Sequence, residues 1–189
     1  MRPEQEGASL LHGWGAALAL MGVVGGLALA WLWPEVLRPQ AARRLSLAVS
    51  RGDVRATGVW LLLVDPDHMA HSVLGEAARQ GNTEMVRLLL ERGADVNHRG
   101  KDGPTPFQQA ARYGHLDVMR QLITAGADEE DGRALEEASQ DCRPEAVKLL
   151  LGQGGWRRKT PLLPETVERA RRLAGAAGCE AVLRLLPSP

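Results

Sequence analysis

The stretch LGEAARQGNTEMVRLLLERGAD (residues 74–95) is the main guide to the architecture, because it returns as FQQAARYGHLDVMRQLITAGAD at residues 107–128. An alanine, two glycines and an aspartate coincide at one constant offset, so that Gly81, for example, falls on Gly114. A fixed period of about 20–50 residues is typical of solenoids, in which each unit buries its apolar face against its neighbours. The sequence therefore predicts a stack of similar units.

Both stretches resemble the ankyrin repeat, whose signature reads roughly TPLHxAAxxGHxxVVxLLLxxGADVN. The resemblance extends over residues 72–97 and 105–128. Thr105 is expected to cap a helix that has Pro106 at its first position, where no N–H group is needed. Gly114 is expected to adopt the left-handed turn that ends this helix. The resemblance implies an all-α solenoid built from pairs of antiparallel helices.

Weaker copies of the pattern flank the two clear ones. They are predicted at residues 45–67, 135–155 and 165–186. In the second of these, Cys142 stands where a turn glycine belongs. Together the copies indicate an ankyrin-repeat domain over residues 41–187, with about five units, of which two are strong and three degenerate.

The apolar run HGWGAALALMGVVGGLALAWLW at residues 12–33 contains no Asp, Glu, Lys or Arg. A helix of about 20 such residues spans the hydrocarbon core of a bilayer. We predict a single transmembrane helix here, preceded by a short tail (residues 1–11) and followed by a linker (residues 34–40). The small residues at 28–30 leave a cleaved signal peptide as the alternative, but the leader MRPEQEG has one arginine and two glutamates, whereas a signal peptide begins with a positively charged region.

Small residues recur along one face of this predicted helix: Ala19, Gly22, Gly26 and Ala30. Such a ridge lets two membrane helices approach closely, so a homodimer through the membrane segment is a hypothesis. Three arginines (Arg38, Arg43 and Arg44) follow the run, against Arg2 before it. The positive-inside rule therefore favours a cytoplasmic repeat domain, with a periplasmic or other extracytoplasmic placement as the alternative.

No pattern for catalysis is found. The formal net charge is zero, which argues against a nucleic-acid binder. No P-loop, nucleophile elbow or zinc-protease motif occurs. The segment DPDHMAH (residues 65–71) is a weak metal-site pattern and is interpreted as a solvated hairpin. Cys142 and Cys179 have no CxxC spacing and are interpreted as free thiols. We predict no enzyme, no metal and no cofactor.

The resemblance implies a protein partner, bound on a concave face made of hairpin tips and the ends of the first helices. Tyr113 and Trp156 are the strongest candidates, because Tyr, Trp and Arg are enriched at binding hot spots. Carried over position by position, the predicted partner-binding residues are Ser50, Arg51, His68, His71, Arg79, Gln80, Arg99, Lys101, Asp102, Arg112, Tyr113, Gln140, Asp141, Trp156 and Arg157.

The leading functional hypothesis is a membrane-tethered adaptor or scaffold that recruits one protein partner. Two alternatives remain open at this stage. One is an inhibitor or immunity-type protein that blocks a toxin or an enzyme at the membrane. The other is a structural subunit whose repeats pack permanently inside a membrane complex.

Overall fold

The computed structural model describes residues 38–68, 72–101, 103–128, 132–152 and 162–187, and every regular element within them is helical. The helices are α1 (Arg38–Ser50), α2 (Val54–Trp60), α3 (Val73–Gln80), α4 (Thr83–Glu91), α5 (Pro106–Tyr113), α6 (Leu116–Thr124), α7 (Arg133–Gln140), α8 (Pro144–Leu150), α9 (Pro164–Ala176) and α10 (Glu180–Leu183), with a 3₁₀ turn at Pro66–His68. The predicted all-α fold class is confirmed for this part of the chain.

The chain divides into two compact units, Met1–Arg43 and Arg44–Pro189, so that the boundary falls inside α1. Of the first unit, the structure describes residues 38–43. The membrane helix predicted at residues 12–33, with its small-residue ridge, lies outside the described residues and stays a prediction. Among the helices that are described, none has the length and apolar character needed to cross a bilayer.

A left-handed turn follows the first helix of each described pair. The turn residues are Gly52, Gly81, Gly114, Cys142 and Gly178, with φ of 71°, 72°, 76°, 54° and 71°. Glycine suits this conformation because it has no Cβ to collide with the backbone. The turns join five helix pairs within the described residues, and this agrees with the number of units predicted from the sequence.

The start of α5 is fixed by a reciprocal cap. The Gln108 amide N–H donates to Thr105 Oγ1 at 3.2 Å, and the Thr105 amide N–H donates to Gln108 Oε1 at 3.0 Å. Pro106 occupies the first helical turn, as predicted. Asp53, Ser72 and Asn82 cap α2, α3 and α4 with single side-chain hydrogen bonds. These local signals set the helix starts before any packing is considered.

Alanines line the contacts between successive first helices. Ala77, Ala110 and Ala138 are completely buried, where α3 packs on α5, α5 on α7 and α7 on α9. A methyl group allows two helix backbones to approach closely without leaving a void. Larger buried side chains, such as Leu89 and Met119, fill the layer of second helices. The last turns of α3, α5 and α7 are thereby held in consecutive positions.

Neighbouring hairpins are held in register by a backbone-to-side-chain ladder. The amide N–H of Asp95 donates to Asp67 Oδ2 at 2.8 Å, and the amide N–H of Asp128 donates to Asn97 Oδ1 at 2.9 Å. Each bond joins the loop of one unit to the loop of the unit before it. The stack is therefore tied together at the hairpins as well as through its core.

Cys142 and Cys179 form a disulfide, so their interpretation as free thiols is wrong. Their Cα atoms lie 5.7 Å apart although 37 positions separate them in sequence. This distance falls within the usual range for disulfides. Stacking places the turn of the fourth helix pair beside the turn of the fifth. The two cysteines are brought together by the tertiary structure, and no local cysteine motif predicts their pairing.

Candidate partner-binding face

The residues predicted just before each turn all reach the solvent. Exposed or half-buried are Ser50, Arg51, Arg79, Gln80, Arg112, Tyr113, Gln140 and Asp141. Contacts between units connect several of them. The Gln80 side-chain amide donates to the Ser50 carbonyl at 3.1 Å, for example, across a separation of 30 residues. We call the surface formed by these eight residues the turn face.

Arg79 and Tyr113 form the centre of the turn face. The Arg79 guanidinium donates two hydrogen bonds to the Glu76 carboxylate, at 2.8 and 2.7 Å. It also lies over the Tyr113 ring, with its central carbon 5.8 Å from the ring centroid. The hydrogen bond with Glu76, and then its negative charge, raise the pKa of Arg79. A charged and oriented guanidinium therefore lies against a partly exposed aromatic ring, a pairing that contributes about 0.5–1 kcal/mol at exposed sites.

His115 ties this centre to the backbone of the preceding unit. Its Nε2 lies 2.9 Å from the Arg79 carbonyl oxygen. Because a carbonyl only accepts hydrogen bonds, Nε2 carries the hydrogen in this contact. The imidazole also stacks near Tyr113, with ring centroids 6.3 Å apart and planes inclined by 13°. Tyr113 is thus flanked by Arg79 and by His115, which restricts its orientation.

The next unit repeats the arrangement with different side chains. Arg143 Nε donates to the Arg112 carbonyl at 3.2 Å, in the place that His115 takes one unit earlier. Arg112 itself donates to Asp141 Oδ2 at 2.9 Å. That hydrogen bond is the main cause of the raised pKa of Arg112. The turn face therefore carries two cations whose positions are set by neighbouring carboxylates.

The hairpin between α4 and α5 borders the same region. Arg99 and Lys101 are exposed on it. Lys101 and Glu76 line a shallow depression of about 190 Å³, together with Ser72 and Gln109. This depression offers opposite charges and hydrogen-bonding groups next to Arg79. Such a polar recess suits a side chain or backbone segment of a bound protein.

Several predicted binding residues lie outside the described residues and stay predictions. They are His71, Asp102, Trp156 and Arg157. For His68 the structure gives the backbone only, within the 3₁₀ turn at Pro66–His68.

Three residues that shape the face are absent from the set predicted from the sequence. They are Glu76, His115 and Arg143. The spacing of Glu76, three positions before Arg79 on one helix, is a signal that could have found it. For His115 and Arg143 the available signal is their position directly after a turn residue.

Comparison with known proteins agrees with this architecture. A family model of three ankyrin repeats matches residues 74–159. A putative ankyrin repeat-containing protein of Treponema pallidum (strain Nichols) is 42% identical over 66 residues, which are 32% of this chain and 22% of that protein. The match thus spans about a fifth of the length of that relative. Ankyrin repeats generally mediate protein–protein interactions and are typically not catalytic.

Proposed function

We propose that the protein, whose residues 74–159 match a model of three ankyrin repeats, is a membrane-tethered adaptor whose turn face binds one protein partner. The observation that carries the proposal is the contact between Arg79 and Tyr113. Tyr113 keeps 39% of its surface exposed although two neighbouring side chains hold it in place. A fixed aromatic ring loses little conformational entropy on binding, so its contact area contributes efficiently to affinity.

The membrane tether is the second part of the proposal, and it rests on the apolar run at residues 12–33. Attachment to a bilayer confines the search for a partner to the membrane surface. The effective concentration of a partner at the same membrane then rises without any new contact. No catalytic residue is assigned, because the proposed activity is binding.

Two alanine substitutions test the binding face. Arg79→Ala and Tyr113→Ala should each weaken partner capture by about 1–2 kcal/mol, which is roughly a five- to thirty-fold rise in Kd. The matched control is Arg87→Ala. Arg87 forms an exposed ion pair with Glu91 at 2.7 Å, as Arg79 does with Glu76, but it lies on the second helix of its pair.

The measurement is quantitative proximity labelling by the full-length chain in the cells that make it. The expected partner is a protein that the wild type and Arg87→Ala label equally, and that Arg79→Ala and Tyr113→Ala label much less. Equal labelling by all four chains would remove the turn face as the binding surface. Labelling confined to soluble proteins would contradict the proposed membrane tether.

A structural subunit is the second candidate, and one specific observation favours it. Val59, Leu62 and Leu63 are 58%, 75% and 48% exposed around the end of α2. Adjacent exposed apolar side chains are typical of surfaces that another protein covers. This candidate predicts that the chain is always recovered in a stoichiometric complex and that Leu62→Ser disrupts it. If the protein is an adaptor, by contrast, part of the chain should be recovered without its partner.

A further inference from the structure

The disulfide joins two different units of the repeat domain. Cys142 lies in the turn between α7 and α8, and Cys179 directly precedes α10. The last helix, α10, has only four residues, from Glu180 to Leu183. A helix this short is not stable by itself and depends on the contacts that it makes with the rest of the domain. The cross-link therefore joins the terminal unit to the fourth unit directly before this short helix.

Cys142 also occupies a position that does not favour cysteine. Its φ of 54° is in the left-handed region, and it is the only residue other than glycine with a positive φ in the part of the chain that the structure describes. The corresponding residues in the other four pairs are glycines. A side chain in this conformation costs free energy that glycine avoids. Cysteine at this position nevertheless permits the cross-link, which glycine cannot form.

We propose that the repeat domain faces an oxidising, extracytoplasmic compartment, where the Cys142–Cys179 bond forms and locks the terminal unit in place. Structural disulfides persist in such compartments and are rare in the cytosol, where thiols are kept reduced. The predicted membrane helix or signal segment at residues 12–33 would supply the route across the membrane. This inference does not depend on the turn face or on any partner.

The chemistry requires an oxidant that itself carries a disulfide. The Cys142 thiolate attacks that disulfide, and the Cys179 thiolate then displaces the oxidant from the mixed disulfide. One sulfur–sulfur bond forms in the chain and one breaks in the oxidant. The two electrons and the two protons of the cysteine thiols end on the two thiols of the reduced oxidant. Dithiol–disulfide oxidoreductases of oxidising compartments belong to this chemical class.

The proposal differs from the orientation that the arginine count favours. Arg38, Arg43 and Arg44 outnumber Arg2, but the difference between the two flanks is small and charge bias does not fix every topology. A stable disulfide responds directly to the redox state of the compartment. We therefore give it more weight than the flanking charges.

The first experiment measures the redox state of the full-length chain in its own cells. Free thiols are blocked by acid quenching and alkylation with N-ethylmaleimide, and the chain is then reduced and treated with a polyethylene-glycol maleimide. We expect two adducts on the wild-type chain after reduction and none before it. The Cys142→Ser variant is the control and should acquire none, because its remaining thiol is blocked in the first step. A wild-type chain that is fully blocked in the first step overturns the proposal.

The second experiment locates the domain independently of its folding. In Cys179→Ser, Cys142 remains as the single thiol at an exposed position. A membrane-impermeant maleimide should label it to the same extent in cells stripped of their outer barrier and after lysis. Labelling that appears only after lysis, as for a cytosolic marker, overturns the proposal even if the disulfide is found. An unfolded variant still reports its compartment, so a folding defect does not obscure the result.

Discussion

The third and fourth helix pairs meet the same backbone requirements with different side chains. The third begins with a reciprocal cap at Thr105 and turns at Gly114. The fourth begins at Gly132, which offers no side-chain cap, and turns at Cys142. Both nevertheless keep a left-handed turn and pack their first helices on the preceding unit.

The difference shows which features of a repeat are structural requirements and which are local solutions. Both pairs share a chain reversal, followed by a side chain that reaches back to the previous unit. His115 reaches back to the Arg79 carbonyl from the third pair, and Arg143 reaches back to the Arg112 carbonyl from the fourth. The fourth pair lacks a cap and has an unfavourable turn residue. Its disulfide to the fifth pair offsets both deficits.

Breaking the disulfide should have the largest effect on stability. Its Cys142 and Cys179 ends are separated by 37 positions. Reduction of the wild type, or Cys142→Ser, should lower the free energy of unfolding by about 3–4 kcal/mol, because a cross-link over such a span restricts the unfolded chain. Cys142 is exposed, so its replacement leaves no cavity in the core.

Urea denaturation of the full chain in detergent, followed by circular dichroism, measures the change. The reduced wild type and Cys142→Ser should unfold at the same urea concentration. A reduced wild type as stable as the oxidised one would contradict a stabilising role for the cross-link.

The contacts made by His115 and Arg143 can be compared by replacing the turn glycine that each side chain covers with alanine. A Cβ at Gly81 would lie 2.5 Å from Nδ1 of the rigid His115 ring, whereas one at Gly114 would lie 3.0 Å from Cδ of the flexible Arg143. The two φ angles, 72° and 76°, are nearly equal. We expect Gly81→Ala to lower the free energy of unfolding by about 2–3 kcal/mol and Gly114→Ala by about 1 kcal/mol.

Gly93 provides the baseline for this pair. Its φ is 86° and a Cβ there would meet nothing within 4 Å, so Gly93→Ala carries the backbone cost alone. We expect a loss of about 1 kcal/mol, similar to that of Gly114→Ala. Equal losses at Gly81 and Gly93 would show that the His115 ring moves aside freely. Its contact with the Arg79 carbonyl would then not be a fixed part of the stack.

The repeat pattern predicts most of the fold because it records backbone requirements directly. Turn glycines, the Thr105 cap and the small alanines are each demanded by local geometry, and each is recognisable in the sequence. The alignment of the repeats also identifies the positions of the turn face. It does not identify Glu76, His115 or Arg143 as parts of that face, since their roles depend on contacts between successive units or on the orientation of one side chain.

The disulfide shows more sharply what the sequence does not reveal. Cys142 is recognisable as a departure from glycine, but its partner is brought near only by the stacking of the fourth and fifth pairs. The Cα atoms of Cys142 and Cys179 lie 5.7 Å apart as a result of that stacking. Cysteine spacing predicts a bond only when a local motif or a small secreted framework fixes the geometry. A solenoid provides neither, so the pair carries no signal in the sequence.

The reciprocal cap of the third pair should contribute less than the disulfide does. Thr105 and Gln108 are both buried. Thr105→Ala removes the acceptor for the Gln108 amide and should lower the free energy of unfolding by about 1–2 kcal/mol. Thr105→Ser keeps the hydroxyl and should recover most of the loss in the same urea titration. An alanine variant as stable as the serine variant would mean that packing alone fixes the start of α5, as it must for the uncapped α7.

The smallest expected effect isolates the unfavourable turn of the fourth pair, where Cys142 has a φ of 54°. In a chain that already carries Cys179→Ser, no cross-link forms, and position 142 can be judged by its backbone alone. We expect Cys142→Gly to be more stable than Cys142→Ser by about 0.5–1 kcal/mol, since glycine relieves the left-handed strain but also increases the entropy of the unfolded chain. When Cys179 is kept, the oxidised wild type should exceed both variants, because only cysteine at position 142 forms the cross-link. A glycine variant no more stable than the serine variant would show that this turn tolerates a side chain without cost, and the cross-link would then have no backbone strain to offset.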